Sequence, residues 1–464
     1  MKKFTISEIA SAINGNIVQG DAGQTVDNVS IDSRSIQPGD LFFALVGENH
    51  DGHRYVSNAV EAGARALVLS QTLSDSPNNI PVIMVDDTLE ALQQLARYNR
   101  IQFEIPVIGI TGSNGKTTTK DLVSAVLSKK YRVLKTKGNF NNEIGLPLTL
   151  LQLSEEYNAA VVEMGMRGLG QIDQLCSISR INAGIITNIG ETHLEILGSV
   201  DNIAKAKGEI LKHIPTSGFA LIPANSKLAQ EQARHCSGSV ISFGENCQGD
   251  FTATNISLSD QGSSFTVCTP VGEMEMVLPI PGRHNISNAM AAVAVGVELG
   301  MTLQQCADGL KDVEISAMRL QVLNIDQLLI INDSYNANPD STRAALTTLK
   351  DLAGKRRRVA VLGSMFELGD REQKGHYETG ETAADVDLLV AVGKLAREIV
   401  RGAKDTGMPS DRVHWFADNH SAANYLKHNL KPEDVILVKG SRGMKMEEIV
   451  EYIKESGVRS QESE

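Results

Sequence analysis

Apolar residues fall in short runs divided by polar, glycine-bearing turns and by segments whose apolar positions recur at helical spacing. Ile105, Val107, Ile108 and Ile110 form one such run, and Leu122, Val123, Val126 and Leu127 follow at intervals of one, three and four. The pattern predicts a buried strand, a loop and a helix. Apolar runs at 159–163 and 183–189 repeat it, each ending in a polar turn. Alternation of this kind predicts a parallel sheet flanked by helices, with ligands gathering at the carboxyl ends of the strands.

Before this series, residues 1–81 predict a small α/β unit. Pro38-Gly39 turns into a strand at 41–46, a glycine-and-histidine loop covers 47–53, and a helix through Val60 precedes a strand at 66–69. After it, apolar runs at 328–331, 359–362, 388–392 and 435–438 predict a second α/β series, with Gly363, Gly393 and Gly440 each following one of them. The expected fold class is therefore α/β in three domains: a small N-terminal α/β unit (1–81), a central P-loop, parallel-sheet domain (82–314) and a C-terminal Rossmann-like domain (315–464). A polar, frayed tail is expected after Ser456.

A length of 464 residues agrees with this division, since single cores stop growing near ~250–300 residues. The net charge of −12 excludes a general affinity for nucleic acid and requires that any anionic substrate be held by local lysines, arginines and helix N-termini. The run Lys355, Arg356, Arg357, Arg358 is read as a solvated loop before a strand. Five cysteines (176, 236, 247, 268 and 306) form no C-x-x-C pair, which points to reduced thiols in a cytoplasmic protein and away from a zinc site. The Met1-Lys2-Lys3 start is followed by Glu8 and small polar residues, unlike an export signal, and no apolar stretch approaches ~18 residues, so no membrane insertion is expected.

The sequence Gly-Ile-Thr-Gly-Ser-Asn-Gly-Lys-Thr-Thr-Thr at 109–119 occupies the first loop. Between a strand and a helix such a loop can surround phosphate with backbone N–H groups, and the helix dipole adds to them. Thr111, Gly112, Ser113, Asn114, Gly115, Lys116, Thr117 and Thr118 are thus candidates to bind ATP or GTP, with Lys116 on the outer phosphates and a threonine hydroxyl on Mg²⁺. The usual P-loop has a glycine where Ile110 stands; here the glycines fall at 109, 112 and 115.

Four further clusters sit at expected strand or helix ends. Glu163 closes an apolar run, as a metal-binding carboxylate would, although a cap or ion-pair role explains it equally well. His193 follows the third run and is a possible metal ligand or simply a satisfied polar residue. Lys205 and Lys207 lie in a helical segment that reads just as well as a solvated face. Asn285 or Ser287 could cap the helix predicted at 291–297. The segment Asn332-Asp333-Ser334-Tyr335-Asn336-Ala337-Asn338-Pro339-Asp340-Ser341 is dense enough in hydrogen-bonding side chains to favour ligand contact.

Together these clusters resemble the Mur ligases, ATP-dependent amide-forming enzymes that build the peptide of the bacterial cell-wall precursor, and the resemblance covers nearly the whole chain. Members carry Thr-Gly-x-Asn-Gly-Lys-Thr in place of the standard P-loop, which accounts for Ile110. The resemblance implies ATP and Mg²⁺ as cofactors, Lys116, His193 and Lys207 as catalytic groups, and Thr117, Glu163, His193 and a carbamate on Lys207 as metal ligands. Asn288, in the Asn285 to Ala289 motif, would read adenine, Arg319 would touch the phosphates and Asp333 the nucleotide. Lys137 to Pro147, including Asn139, Asn141 and Asn142, together with His193-Leu194-Glu195 and Ala337-Asn338-Pro339, resemble those members that join D-alanyl-D-alanine to UDP-N-acetylmuramoyl-tripeptide through an acyl phosphate. The Asp-Asn-Pro-Arg sequence that selects meso-diaminopimelate as an incoming amino acid is absent. Whether the third residue of the accepted tripeptide is lysine or diaminopimelate stays open.

Asp32-Ser33-Arg34 and Pro38-Gly39-Asp40-Leu41-Phe42 resemble the UDP-sugar domain of the family, making Ser33 and Arg34 candidates for uridine-diphosphate contact; a surface turn is the alternative for Arg34. Lys439, Ser441 and Arg442, after a C-terminal strand, are candidates to seat the dipeptide carboxylate. The expected protein is a monomer without nucleic-acid partners. Its nucleotide contacts are split between two domains, so the site is complete only when these close.

Overall fold

The computed structural model of the chain describes residues 1–72, 80–246, 249–259 and 261–456. Cys247 and the tail expected after Ser456 lie outside the described residues. Three domains follow one another, each built on its own sheet.

The N-terminal sheet has the order Asn16–Gln19, Val82–Met84, Ala66–Leu69, Leu41–Phe43, Val29–Ser30. Val82–Met84 pairs with both Asn16–Gln19 and Ala66–Leu69, so this unit extends past the expected boundary at 81. The strand expected at 41–46 stops at Phe43, because the chain turns there: Gly52 N–H donates back to Leu45 O at 2.8 Å. Helix Thr88–Arg100 then leads to the central domain. Its Arg100 is buried and donates to the carbonyls of Ser179, Phe103, Ile105 and Arg180, tying the connection to the central domain.

The central sheet has nine strands, in the order Gly272–Leu278, Gly262–Thr269, Phe251–Ser259, Ser239–Glu245, Phe219–Pro223, Ala183–Ile186, Val107–Thr111, Ala159–Glu163, Val133–Lys135. It is not wholly parallel as expected. Gly262–Thr269 runs antiparallel to both its neighbours, forming a meander at one edge. Along Phe251–Ser259 the burial pattern passes from continuous to alternating, as befits a strand leaving the core for a sheet with one wet face. Val107–Thr111 lies mid-sheet with every residue buried, and helix Lys116–Leu127 covers it, in turn covered by His284–Glu298.

The C-terminal sheet has the order Gln321–Ile325, Leu328–Asp333, Val435–Lys439, Arg358–Gly363, Leu388–Val392, Val413–Phe416. All its pairings are parallel except that of the first two strands. The basic run at 355–358 does precede a strand, and two of its arginines are engaged, Arg357 with Asp434 and Arg358 with Asp385.

Helices Glu372–Ala383 and Arg397–Asp405 approach backbone to backbone. A Cβ on Gly380 would lie 2.0 Å from Ile399 O, and one on Gly402 would lie 2.1 Å from Tyr377 O. Gly402→Ala is therefore expected to lower stability by about 1–3 kcal/mol, as overpacking does. Thermal melting checks this against Gly168→Ala, whose added methyl meets nothing within 4 Å and should leave the melting temperature unchanged.

Candidate active site

Strand Val107–Thr111 stands between Ala159–Glu163 and Ala183–Ile186, with Ile110 opposite both Glu163 and Ile185. The chain crosses from one side of this strand to the other here, which opens a crevice at its carboxyl end. Ile110 is fully buried in the strand, and its carbonyl accepts Met164 N–H at 2.8 Å. That is why the usual glycine is missing: the position belongs to the sheet, not the loop. The turn begins at Gly112 (φ 151°) and ends at Gly115 (φ 78°), where a side chain at the first would collide with Thr187 Oγ1.

The third strand ends at Ile186 rather than 189 because Thr187 and Asn188 bend to hold this loop. Thr187 Oγ1 donates to Asn114 O at 2.6 Å, Asn114 N–H donates to Asn188 Oδ1 at 2.9 Å, and Ser113 Oγ donates to Gly190 O at 3.0 Å. Lys116 Nζ donates to Gly112 O at 2.8 Å, so the ammonium lies over the loop's own carbonyls. Burial lowers its pKa, Glu163 opposes that and Arg319 adds to it.

Thr117 Oγ1 donates to Glu163 Oε2 at 2.8 Å, and Asn141 Nδ2 donates to Glu163 Oε1 at 2.8 Å. Hydroxyl and carboxylate oxygens beside a phosphate loop are the hard donors that a divalent cation such as Mg²⁺ takes. Among the described residues no three His, Cys, Asp or Glu side chains converge on one point. Lys207 is 2% exposed on helix Val200–Lys212, which settles against its reading as a solvated lysine. Burial first, and Lys116 second, push its pKa well below the ordinary lysine value. His193 stands in a left-handed conformation (φ 57°), and burial together with Lys207, Lys116 and Arg167 lowers its pKa to about 4.

A cleft of about 1210 Å³ lies beside these groups, between the central and C-terminal domains. Ser113 to Thr118, Asn139, Asn141, Asn142, Glu163, His193 and Asn288 line one side, while Arg319, Asp333, Lys439, Ser441 and Arg442 line the other. Asn288 stands against the loop, within 3.0 Å of where a Cβ of Gly115 would lie, and its Nδ2 donates to Asn285 Oδ1 at 3.1 Å. Arg319 stacks on Tyr335, its guanidinium carbon 4.0 Å from the ring centroid.

Models of the Mur ligase family match three stretches of the chain: the family's catalytic domain at residues 25–100, its middle domain at 110–296 and its glutamate ligase domain at 318–442. The chain is 41% identical over 460 residues to the UDP-N-acetylmuramoyl-tripeptide--D-alanyl-D-alanine ligase of Bacillus subtilis, covering 98% of this chain and 99% of the relative. It belongs to the Mur ligase family. The ligase of the same name from Escherichia coli is 39% identical over 464 residues, covering 98% and 100%. A crystal structure of MurF from Acinetobacter baumannii superposes with a TM-score of 0.90 at 33% identity, covering 98% of this chain and 99% of that one. A MurF ligase from Thermotoga maritima, in complex with ADP, superposes at 0.83 with 26% identity, covering 93% and 98%.

In this Mur ligase not every expected site residue faces the cleft. Thr111, Gly112 and Lys207 are not among the residues that line it, and Thr111 Oγ1 is buried without a partner. Ser33 and Arg34 also lie away from it. Arg34 is exposed and doubly bonded to Asp32, which lowers the Asp32 pKa to about 2. Lys439 is 3% exposed, with Nζ 2.6 Å from Asp333 Oδ2, so it holds that carboxylate in place instead of offering a free cation. Ser441 Oγ accepts Phe366 N–H at 2.9 Å, leaving Arg442, paired with Glu447, as the exposed cation of the three.

Several lining residues carry no motif in one sequence. Glu367, another left-handed residue (φ 62°), brings its carboxylate 3.5 Å from His193 Nδ1. Arg371 pairs with Glu191, and Asn338 Nδ2 donates to Asn114 Oδ1 at 2.8 Å, so the C-terminal domain grips both loops of the central one. Arg167 also lines the cleft. The run 363–367 after a predicted strand was the available signal for Glu367.

The depressed His193 pKa sets a pH dependence of stability. Between its ordinary value of 6.5 and about 4 the unfolded chain binds a proton at this histidine that the folded chain does not. Stability due to this residue is therefore fully present above pH 6.5 and is lost as pH falls toward 4. Urea unfolding of His193→Gln across that range should show a shallower loss on acidification than the parent.

Proposed function

We propose that this Mur ligase joins D-alanyl-D-alanine to UDP-N-acetylmuramoyl-tripeptide at the expense of ATP, forming the UDP-N-acetylmuramoyl-pentapeptide precursor of peptidoglycan. The observation that carries this reading is one cleft with the phosphate loop, Glu163 and His193 on one wall and Arg319 and Asp333 on the other, in a chain similar over its whole length to ligases of that name.

A carboxylate is a poor electrophile, so the tripeptide carboxylate first attacks the γ-phosphorus and ADP leaves. The amine of the dipeptide then attacks the acyl carbon, phosphate leaves, and the nitrogen gives up its proton. Lys116 and Arg319 would hold the phosphates from opposite walls, Asn288 the adenine, and Asp333, fixed by Lys439, the nucleotide from the C-terminal side. The donor set fits Mg²⁺ held by Thr117 and Glu163, with a second ion held by His193 and a carbamate on Lys207. Bound there, Mg²⁺ would offset the repulsion between triphosphate and carboxylate.

Two properties support the last assignment. Burial, with Lys116 second, pushes the Lys207 pKa down and so favours the neutral amine, the form that takes up CO₂, and the lowered pKa of His193 leaves its imidazole neutral with a lone pair to offer. The uridine-diphosphate end would reach the N-terminal domain near Ser33 and Arg34, with Arg34 exchanging Asp32 for phosphate. Arg442 would seat the dipeptide carboxylate; it lines the same cleft as Asn139 and Asn142.

The deciding assay is ADP release with the nucleotide-tripeptide and ATP, comparing D-alanyl-D-alanine with single amino acids. Turnover with the dipeptide alone is expected; equal rates with glutamate or diaminopimelate would place the enzyme at another step. Lys207→Ala should cut kcat by roughly a hundredfold or more, and added short carboxylates should restore part of it. Arg442→Ala should raise the dipeptide KM on the order of tenfold and leave the ATP KM in place.

A further inference from the structure

The linker between the central and C-terminal domains is anchored by a side chain that the chemistry above does not use. Asp121 lies on the same helix as Lys116 and is 1% exposed. Its Oδ2 accepts both the backbone N–H of Ser316, at 3.0 Å, and the Ser316 hydroxyl, at 2.8 Å. Its Oδ1 accepts Lys135 Nζ at 3.1 Å and lies 3.3 Å from Lys120 Nζ. One oxygen answers two lysines, and the other is given wholly to the linker. Lys120 itself donates to Thr136 O at 3.0 Å, and Thr136 Oγ1 accepts Glu163 N–H at 3.0 Å. A single buried pair thus joins the phosphate-loop helix, the Glu163 strand and the start of the next domain.

Beyond Ser316 the linker is bent rather than slack. Met318 (φ 62°) and Leu320 (φ 48°) are both left-handed without being glycine, and Arg319 stands between them. Such backbone persists only where its surroundings hold it. Here Tyr335 N–H donates to Met318 O at 3.2 Å, and Leu320 N–H donates to Asp333 Oδ1 at 3.1 Å. Arg319 therefore hangs from a strand of chain fixed by Asp121 on one side and by the C-terminal domain on the other.

We propose that Asp121 is a positioning residue for phosphoryl transfer: by holding Ser316 it fixes the fulcrum between the two domains and so sets where Arg319 meets the triphosphate. This rests on the reading of Arg319 as a phosphate contact. An alternative role, neutralising Lys120 and Lys135 alone, would not need the bonds to Ser316.

Asp121→Ala would strip two lysines of their counter-charge and threaten folding, so Ser316 carries the test. Ser316→Ala, Ser316→Thr, Arg319→Ala and the double variant Ser316→Ala/Arg319→Ala are compared by ADP release and by thermal melting. Ser316→Ala, which removes the hydroxyl bond and keeps the backbone one, should lower kcat on the order of tenfold, as small misplacements of a catalytic group do, with the nucleotide-sugar KM little changed and the melting temperature lowered by no more than the loss of one hydrogen bond. Ser316→Thr, which keeps the hydroxyl, should stay near the parent. In the Arg319→Ala background the same Ser316→Ala change should cost less than about twofold, because a residue acting through another cannot be lost twice. Multiplying losses in the double variant, or full activity of Ser316→Ala, would overturn the proposal. Full activity of Arg319→Ala would instead overturn the reading of Arg319, and this inference with it.

Discussion

Like-charge repulsion is the constraint around which this molecule is arranged. Activating a carboxylate with ATP requires bringing an anion against a triphosphate, in a chain whose own net charge is −12. A global field cannot help, so the cations must be local and must converge. They come from different places: Lys116 and the helix N-terminus from the central domain, Arg319 from the linker and Arg442 from the C-terminal domain. Partial burial strengthens Lys116 and Arg319 by keeping screening water and salt at a distance, whereas Arg442 stays exposed.

Gathering cations has a consequence for the groups beside them. The neighbourhood of Lys116 works with burial to push Lys207 and His193 toward their neutral forms. Elsewhere a buried lysine pushed toward its neutral form would be a defect; the proposed carbamate would draw on that form. The field that receives the triphosphate therefore also prepares the two side chains assigned to a cation on the substrate side. Glu163 sits at the junction, hydrogen-bonded to Thr117 at the start of the phosphate-loop helix and to Asn141, and it opposes the loss of charge on Lys116.

The fold was legible where the pattern was continuous. Fully buried parallel strands such as Ala159–Glu163 and Leu388–Val392 read directly as apolar runs. The edge meander at 251–278 did not, because its alternating, half-exposed pattern resembles polar loop as much as strand. Val82–Met84 was assigned across a boundary, since nothing local tells a strand that closes one domain from one that opens the next. In the site, the phosphate loop was legible because backbone geometry demands its glycines. Lys207 could not be read from the residues alone, for burial of a lysine is decided by elements distant in the chain. The roles of Lys439 and Glu367 were hidden for the same reason: one is spent on Asp333, and the other acts across a domain boundary.

The contacts between the two catalytic domains differ in kind between the mouth and the back of the cleft. At the mouth, Asn114 with Asn338 and Glu191 with Arg371 are polar pairs within reach of water, of the kind that exchange easily and contribute little when exposed. At the back, Asp121 and Ser316 are joined by two hydrogen bonds to a buried carboxylate, which are costly to break because Oδ2 would be left buried without a donor while Oδ1 stayed with the two lysines. A body held loosely on one side and firmly on the other moves by rotation about the firm side. Were the C-terminal domain to turn about that side, the linker start would stay registered to the phosphate-loop helix. Arg319, three residues beyond the anchored Ser316, would then sweep a shorter path than Glu367 and Arg442, which line the same cleft farther along the chain.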